Sequence, residues 1–194
     1  GENWAFEENA IIDGLRYLVE RARVLKMGLV VNLSLGENIG GHDDTSPIEV
    51  LLDDLNARGV IVTVAAGNEA NNQGHATGSL SRASSTRVNW VLTGRASSAT
   101  VDLWYPNDRT VSAALVTPSG ETVHGQTPTG GTGTSDGLVT ILPSTTAKGR
   151  ELAISVQAQG ALKAAGWSMI LNVMDNGPSL RWDAWVDSDS CSFP

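Results

Sequence analysis

Two short apolar runs, separated by one clearly signalled helix, limit the fold more than any other feature. Leu29–Leu33 and Val60–Ala65 are apolar stretches of strand length. That is the pattern of parallel strands covered on both faces. Between them, Ser46-Pro47-Ile48-Glu49 reads as a helix start, with Ser46 and Glu49 spaced for a capping box and Pro at the first helical position. Ile48, Leu51, Leu52 and Leu55 supply the buried face, and Gly59 stops the helix. Strand, helix and strand form one β-α-β unit, which predicts a parallel pair with a right-handed crossover. Upstream, residues 7–26 carry Ile11, Ile12, Leu15, Leu18, Val19, Ala22 and Leu25 at helical spacing, and Gly28 follows as a stop signal.

The text changes character near residue 80. Residues 87–94, 100–105, 111–117, 138–142, 152–158, 166–174 and 180–186 read as strands between Pro-Asn-Asp, Pro-Ser-Gly and Asp-Asn-Gly-Pro turn clusters. Val101-Asp-Leu-Trp104 and Trp182-Asp-Ala-Trp185 alternate apolar with polar, as in a half-buried antiparallel sheet. Residues 126–137 are rich in Gly, Thr and Ser and read as a loop. The fold class predicted is α/β plus all-β: a parallel α/β segment over residues 1–80, then an antiparallel β-sandwich, jelly-roll-like, over 81–194.

Charge and cysteine usage exclude several classes of function. A net charge of −8 with no basic cluster gives no electrostatic support for nucleic-acid or anionic-membrane binding. The longest apolar runs are far too short to span a bilayer. The single Cys191 cannot form an internal disulfide. Beginning at Gly1 and ending at Pro194, the chain reads as a processed or excised piece.

The candidate chemistry lies at the ends of the two apolar strands. Asn68 follows Gly67 where an α/β strand ends, which is where clefts form. Gly67 lets a ligand approach the backbone, and the Asn amide offers an uncharged N–H donor suited to an oxyanion. A turn Asn bonding its own backbone is the other reading of the same residue.

Two motifs together carry a resemblance. Ser34-Leu35-Gly36 after the first strand, and Ala65-Ala66-Gly67-Asn68 after the second, resemble the two cleft strands of the subtilisin-like serine proteases, the subtilases. The Ile11–Leu18 run followed by Val30–Gly36 resembles that family's helix and following strand, and the loop from Gly41 to Pro47 and Gly67-Asn68-Glu69 with His75 nearby are similar to the bacterial Csp-type subgroup. That subgroup carries a β-sandwich inserted between the oxyanion Asn and the catalytic Ser, and the β-rich half here occupies that place. The resemblance implies that Ser34, Leu35 and Gly36 form one wall of the primary specificity pocket, and Ala65, Ala66 and Gly67 the other. It implies that Asn68 donates to the oxyanion, and that the partners are a peptide or protein substrate and the rest of a catalytic domain. An extracellular or cell-envelope setting is implied rather than a cytoplasmic one.

The triad motifs of that family are absent. No Asp-Ser/Thr-Gly, His-Gly-Thr-His or Gly-Thr-Ser-Met-Ala motif occurs, and Ser135 in Gly133-Thr134-Ser135 leads into Asp136-Gly137 rather than a helix. The chain by itself is therefore expected to be catalytically silent, because triad chemistry needs nucleophile, base and carboxylate within hydrogen-bond reach. No cofactor is implied. His42-Asp43-Asp44 could form a Ca²⁺ corner, but Ca²⁺ wants six to eight oxygens and three adjacent polar residues usually make a solvated loop. Trp90, Trp104, Trp167, Trp182 and Trp185 could stack on sugars or pack a core. Three readings follow: a piece of a serine endopeptidase, a pseudoprotease, or a non-catalytic module binding glycan or protein. An α/β sheet cut from its neighbours also predicts self-association.

Overall fold

The computed structural model describes residues 8–36, 38–40, 42–68, 70–92, 98–125, 131–157, 166–187 and 191–194. Contacts divide the chain into two compact units, residues 1–36 with 42–67, and residues 37–41 with 68–194.

The first unit contains α1 (Glu8–Leu25), β1 (Val30–Leu33), α2 (Pro47–Ala57) and β2 (Ile61–Val64). The predicted capping box is present: Glu49 N donates to Ser46 Oγ at 3.3 Å, and Ser46 N donates to Glu49 Oε2 at 3.1 Å. Ile48 N, another of the orphan donors of the α2 N-terminus, reaches Glu8 Oε1 at the start of α1 at 3.0 Å. At the far end Gly59 adopts φ +82°, the left-handed conformation that closes a helix without a Cβ penalty. β1 and β2 pair in parallel, from Val30 opposite Ile61 to Leu33 opposite Val64. Leu15, Val31 and Leu55 are the buried centre, with Ile11, Val19, Leu51, Leu52 and Val62 packed around them. One expectation fails here. The strands are covered on one face only, and Val30 and Ile61 on the other face are 67% and 60% exposed.

The second unit is a pair of antiparallel sheets. Its strands are β3 (His75–Leu80), β4 (Ser85–Leu92), β5 (Ser98–Pro106), β6 (Val111–Val116), β7 (Thr122–His124), β8 (Thr132–Thr134), β9 (Gly137–Thr145), β10 (Gly149–Gln157), β11 (Gly166–Val173), β12 (Leu180–Val186) and β13 (Cys191–Ser192). One sheet runs β3-β12-β5-β10-β9-β8, the other β13-β4-β11-β6-β7. A single apolar core draws on both. Val101, Leu103, Ile154 and Val139 come from the first sheet, and Trp90, Leu115, Trp167 and Met169 from the second.

Several strands fall outside the predicted set. β3 lies before residue 80, the expected change of character, yet it pairs along its length with β12. Gly78 sits opposite Trp182 there, and a Cβ on Gly78 would meet the indole ring at 2.6 Å. Within the predicted loop 126–137, Thr132–Thr134 forms a hairpin with β9, and Thr134 Oγ1 donates to Gly137 O at 2.8 Å. Residues 126–130 of that loop lie outside the described residues. No described helix is long and apolar enough to cross a membrane.

Candidate functional site

The parallel pairing decides which predicted residues meet. The β1–β2 ladder runs one step beyond the strands, where Ala65 N donates to Leu33 O at 3.0 Å. Ser34–Gly36 and Ala65–Gly67 therefore leave the same end of the two-stranded sheet side by side, the carboxyl end of both strands. All six residues are exposed. Ser34 Oγ accepts from Asn32 Nδ2 at 2.8 Å, and Thr63 Oγ1 donates to Asn32 Oδ1 at 2.9 Å. This short chain of bonds links the two strands and fixes the hydroxyl of Ser34. Gly67 has φ +86°, so the turn out of β2 is one that a side chain would strain. Asn68, the next residue, is exposed at a bend. Chain continuity through Gly67 joins it to the strand end.

The other singled-out residues have structural partners. The Ser135 backbone N–H and hydroxyl both donate to Glu121 Oε2 at 2.7 Å, which holds that carboxyl below the usual carboxylate range. Ser135 is thus a turn residue between β8 and β9. Asp43 accepts from the Thr45 backbone at 3.2 Å and from its hydroxyl. Among the described residues no group of three or more His, Cys, Asp or Glu is arranged to hold a metal ion. His75 is in β3 rather than a loop. It stacks on Trp185 with centroids 4.8 Å apart, and its Nε2 lies 3.1 Å from Asp183 Oδ1. Of the five tryptophans weighed as sugar platforms, Trp90, Trp104, Trp167 and Trp182 are buried. The thiol of Cys191 is buried as well, and burial pushes it up to about 12.

The sequence reading missed the polar side chain that, among the described residues, has the least solvent contact. Asp102 on β5 is fully buried and accepts from Gly40 N and from Trp104 Nε1, both at 2.9 Å. Its neighbours in the sequence are those of any strand that alternates polar with apolar, so no local signal marks it.

No protein-family model matches this chain, and no curated protein matches its sequence. Among solved structures, the CspB protease of Clostridium perfringens superposes with a TM-score of 0.83 at 21% identity. The alignment covers 100% of this chain and 43% of that one, so the chain spans less than half the length of its structural relative. A Bacillus licheniformis lipase, BlEst2 in its propeptide form, aligns at a TM-score of 0.44 and 12% identity, over 93% of this chain and 45% of that one. The second likeness is too weak to carry an argument. With two helices, a parallel strand pair and two antiparallel sheets, the chain has the fold of the matching part of the Clostridium perfringens CspB protease.

Proposed function

We propose that this chain is an internal piece of a subtilisin-like serine endopeptidase, bearing both cleft strands and an inserted β-sandwich. The observation that carries the reading is the parallel register of β1 and β2, which sets Ser34–Gly36 beside Ala65–Gly67. Strand ends of this kind offer free backbone donors and acceptors to an extended peptide. Ser34, Leu35 and Gly36 then form one wall of the specificity pocket, and Ala65, Ala66 and Gly67 the other. Asn68 donates its side-chain N–H to the oxyanion of the tetrahedral intermediate, a group that strengthens its bond only as charge develops. The nucleophile, base and orienting carboxylate come from chain not present in these 194 residues. The orders β3-β12-β5-β10 and β4-β11-β6-β7 support a jelly-roll description of the insert, with β8 and β9 added at one edge and β13 at another.

The test is kinetic. These 194 residues alone should neither turn over a chromogenic tetrapeptide nor be labelled by a fluorophosphonate probe. Labelling at Ser135 would refute the assignment of that residue. In the protein encoded by the complete reading frame, Asn68→Ala should lower kcat about 10²–10³-fold, roughly 2.7–4 kcal/mol, with little change in KM. The magnitude is that of the corresponding donor in subtilisin. An unchanged kcat in a folded variant would make Asn68 a turn residue only.

A further inference from the structure

The six-stranded sheet buries an acid on the face turned away from its core. Along β5, Ala99, Val101, Leu103 and Tyr105 belong to the sandwich core. Asp102 and Trp104 therefore alternate onto the opposite face. Both are buried all the same, and Asp102 is 0% exposed. Residues 38–40 supply part of the cover. Gly40 N donates to Asp102 Oδ2 at 2.9 Å, and Asn38 Nδ2 donates to Val186 O at 3.3 Å. Trp104 Nε1 donates to the same Oδ2 at 2.9 Å. The other oxygen, Oδ1, is buried and meets no donor among the described residues.

The register supplies the missing partner. Ala153 lies opposite Asp102 and Glu151 opposite Trp104, so Glu151 is the diagonal neighbour of Asp102 on the same face. A buried carboxyl beside a second acid favours its protonated form, because burial disfavours its charge and the neighbouring acid adds repulsion. One proton held between them gives Oδ1 a hydrogen bond and removes the repulsion. Burial pushes the Asp102 carboxyl up to about 7 against the pull of the Gly40 and Trp104 donors, and the Glu151 charge adds to the rise. Among the described residues, Glu151 is the charged group that acts on Asp102. Arg181 and Asp183 lie on β12, with His75 beside them on β3, and the Arg181 guanidinium and the His75 imidazole both bond to Asp183. Asp187, just past β12, is an acid whose carboxyl burial also raises. Residues 38–40 are Asn, Ile and Gly, with nothing that titrates.

We infer that Asp102 is a positioning residue: a proton shared with Glu151 keeps it buried while it pins the backbone of residues 38–40 to the sheet. That segment continues the chain from Ser34–Gly36. Its bearing on a substrate cleft rests on the function proposed above, whereas the shared proton does not. Linkage gives the direction. When the segment lifts, water reaches Asp102 and its carboxyl returns to an ordinary value of about 4. The pinned state then binds more protons than the open one over roughly pH 4 to 7, so its advantage shrinks as pH rises through that window. Alkaline pH loosens the segment, and mild acid holds it.

Nuclear magnetic resonance of the 194-residue chain tests this without any assay of proteolysis. The Trp104 indole N–H and the Gly40 amide should titrate together with a midpoint near 7. Protection of Gly40 against hydrogen exchange, corrected for intrinsic rates, should fall at least ~10-fold between about pH 6 and 9. Asp102→Asn retains an acceptor for Gly40 and offers an amide N–H to Glu151. It should abolish the titration and keep Gly40 protected at high pH. Glu151→Gln should lower the midpoint. Resonances that stay flat across this range, a midpoint near 4, or an Asp102→Asn protein with the parent's pH dependence would each overturn the proposal. If Asp102→Asn does not fold, an unmoved midpoint in Glu151→Gln overturns it instead. Failure of the cleft reading would appear in the activity of Asn68→Ala and would leave these resonances unchanged.

Discussion

The two units solve the problem of burial in opposite ways. The sandwich closes on itself. Its two sheets turn one face each toward a shared core, where Leu103, Leu115, Val139, Trp167 and Met169 lose all contact with solvent. The α/β unit does not close. A small buried cluster, Leu15, Val31 and Leu55, holds two helices to one face of a two-stranded sheet. The other face presents Val30 and Ile61 to water, and Tyr17, Val24, Leu25 and Met27 are exposed along and just past α1. A parallel sheet of two strands is an unfinished structure, because parallel strands are stable when both faces are covered. An antiparallel sandwich finishes its core within one chain. The comparison teaches that order in the second unit is self-sufficient, while the first needs something laid against it. The proposed remainder of a catalytic domain would supply that cover.

Trp167→Ala should separate the units most sharply. Trp167 and its cross-strand partner Trp90 fill the sandwich core. Truncation should cost about 3–5 kcal/mol. In a thermal melt followed by near-ultraviolet circular dichroism, the sandwich should lose most of its stability, while exchange protection at Val31 and Leu55 should fall less. Equal loss in both would mean that they unfold as one body.

A smaller effect is expected from Gly78→Ala. The new methyl would enter the Trp182 ring, and relief requires β3 and β12 to separate. Overpacking of this kind costs roughly 1–3 kcal/mol. Denaturant titration should show a lower midpoint at an unchanged slope. A neutral result would mean that β3 is a loosely attached edge.

The smallest effect on stability, and the most telling for association, belongs to the exposed strand face. Replacing Val30 and Ile61, which sit opposite each other on that face, by Ser should change unfolding free energy by no more than about 0.5 kcal/mol per site. The same pair should shift the chain from dimers or larger species toward monomer in light scattering, since exposed apolar patches drive association. A parent chain already monomeric at high concentration would show that this face is tolerated bare.

What the sequence determined by itself is local. The Ser46–Glu49 box, Pro47 and Gly59 delimit α2 through bonds and dihedrals made within a few residues, and the structure contains all of them. Apolar periodicity placed α1, β1, β2 and the long sandwich strands because helix and strand repeats are properties of the backbone. Both strand-end motifs were legible for the same reason: each is a strand end followed by small residues. The tertiary structure decided the rest. His75–Leu80 became a strand only because β12 offered it an edge, and Thr132–Thr134 only because β9 folded back on it. Residues 38–40 joined the sheet through partners far away in the sequence, Gly40 through Asp102 and Asn38 through the Val186 carbonyl. A period of two says which face a side chain takes and nothing about what will lie over that face. Asp102 looked like the solvent side of a half-buried strand, and its burial depends on a distant segment of chain and a diagonal neighbour on the next strand. Contacts of that range are set by topology and register, which no short window of sequence contains.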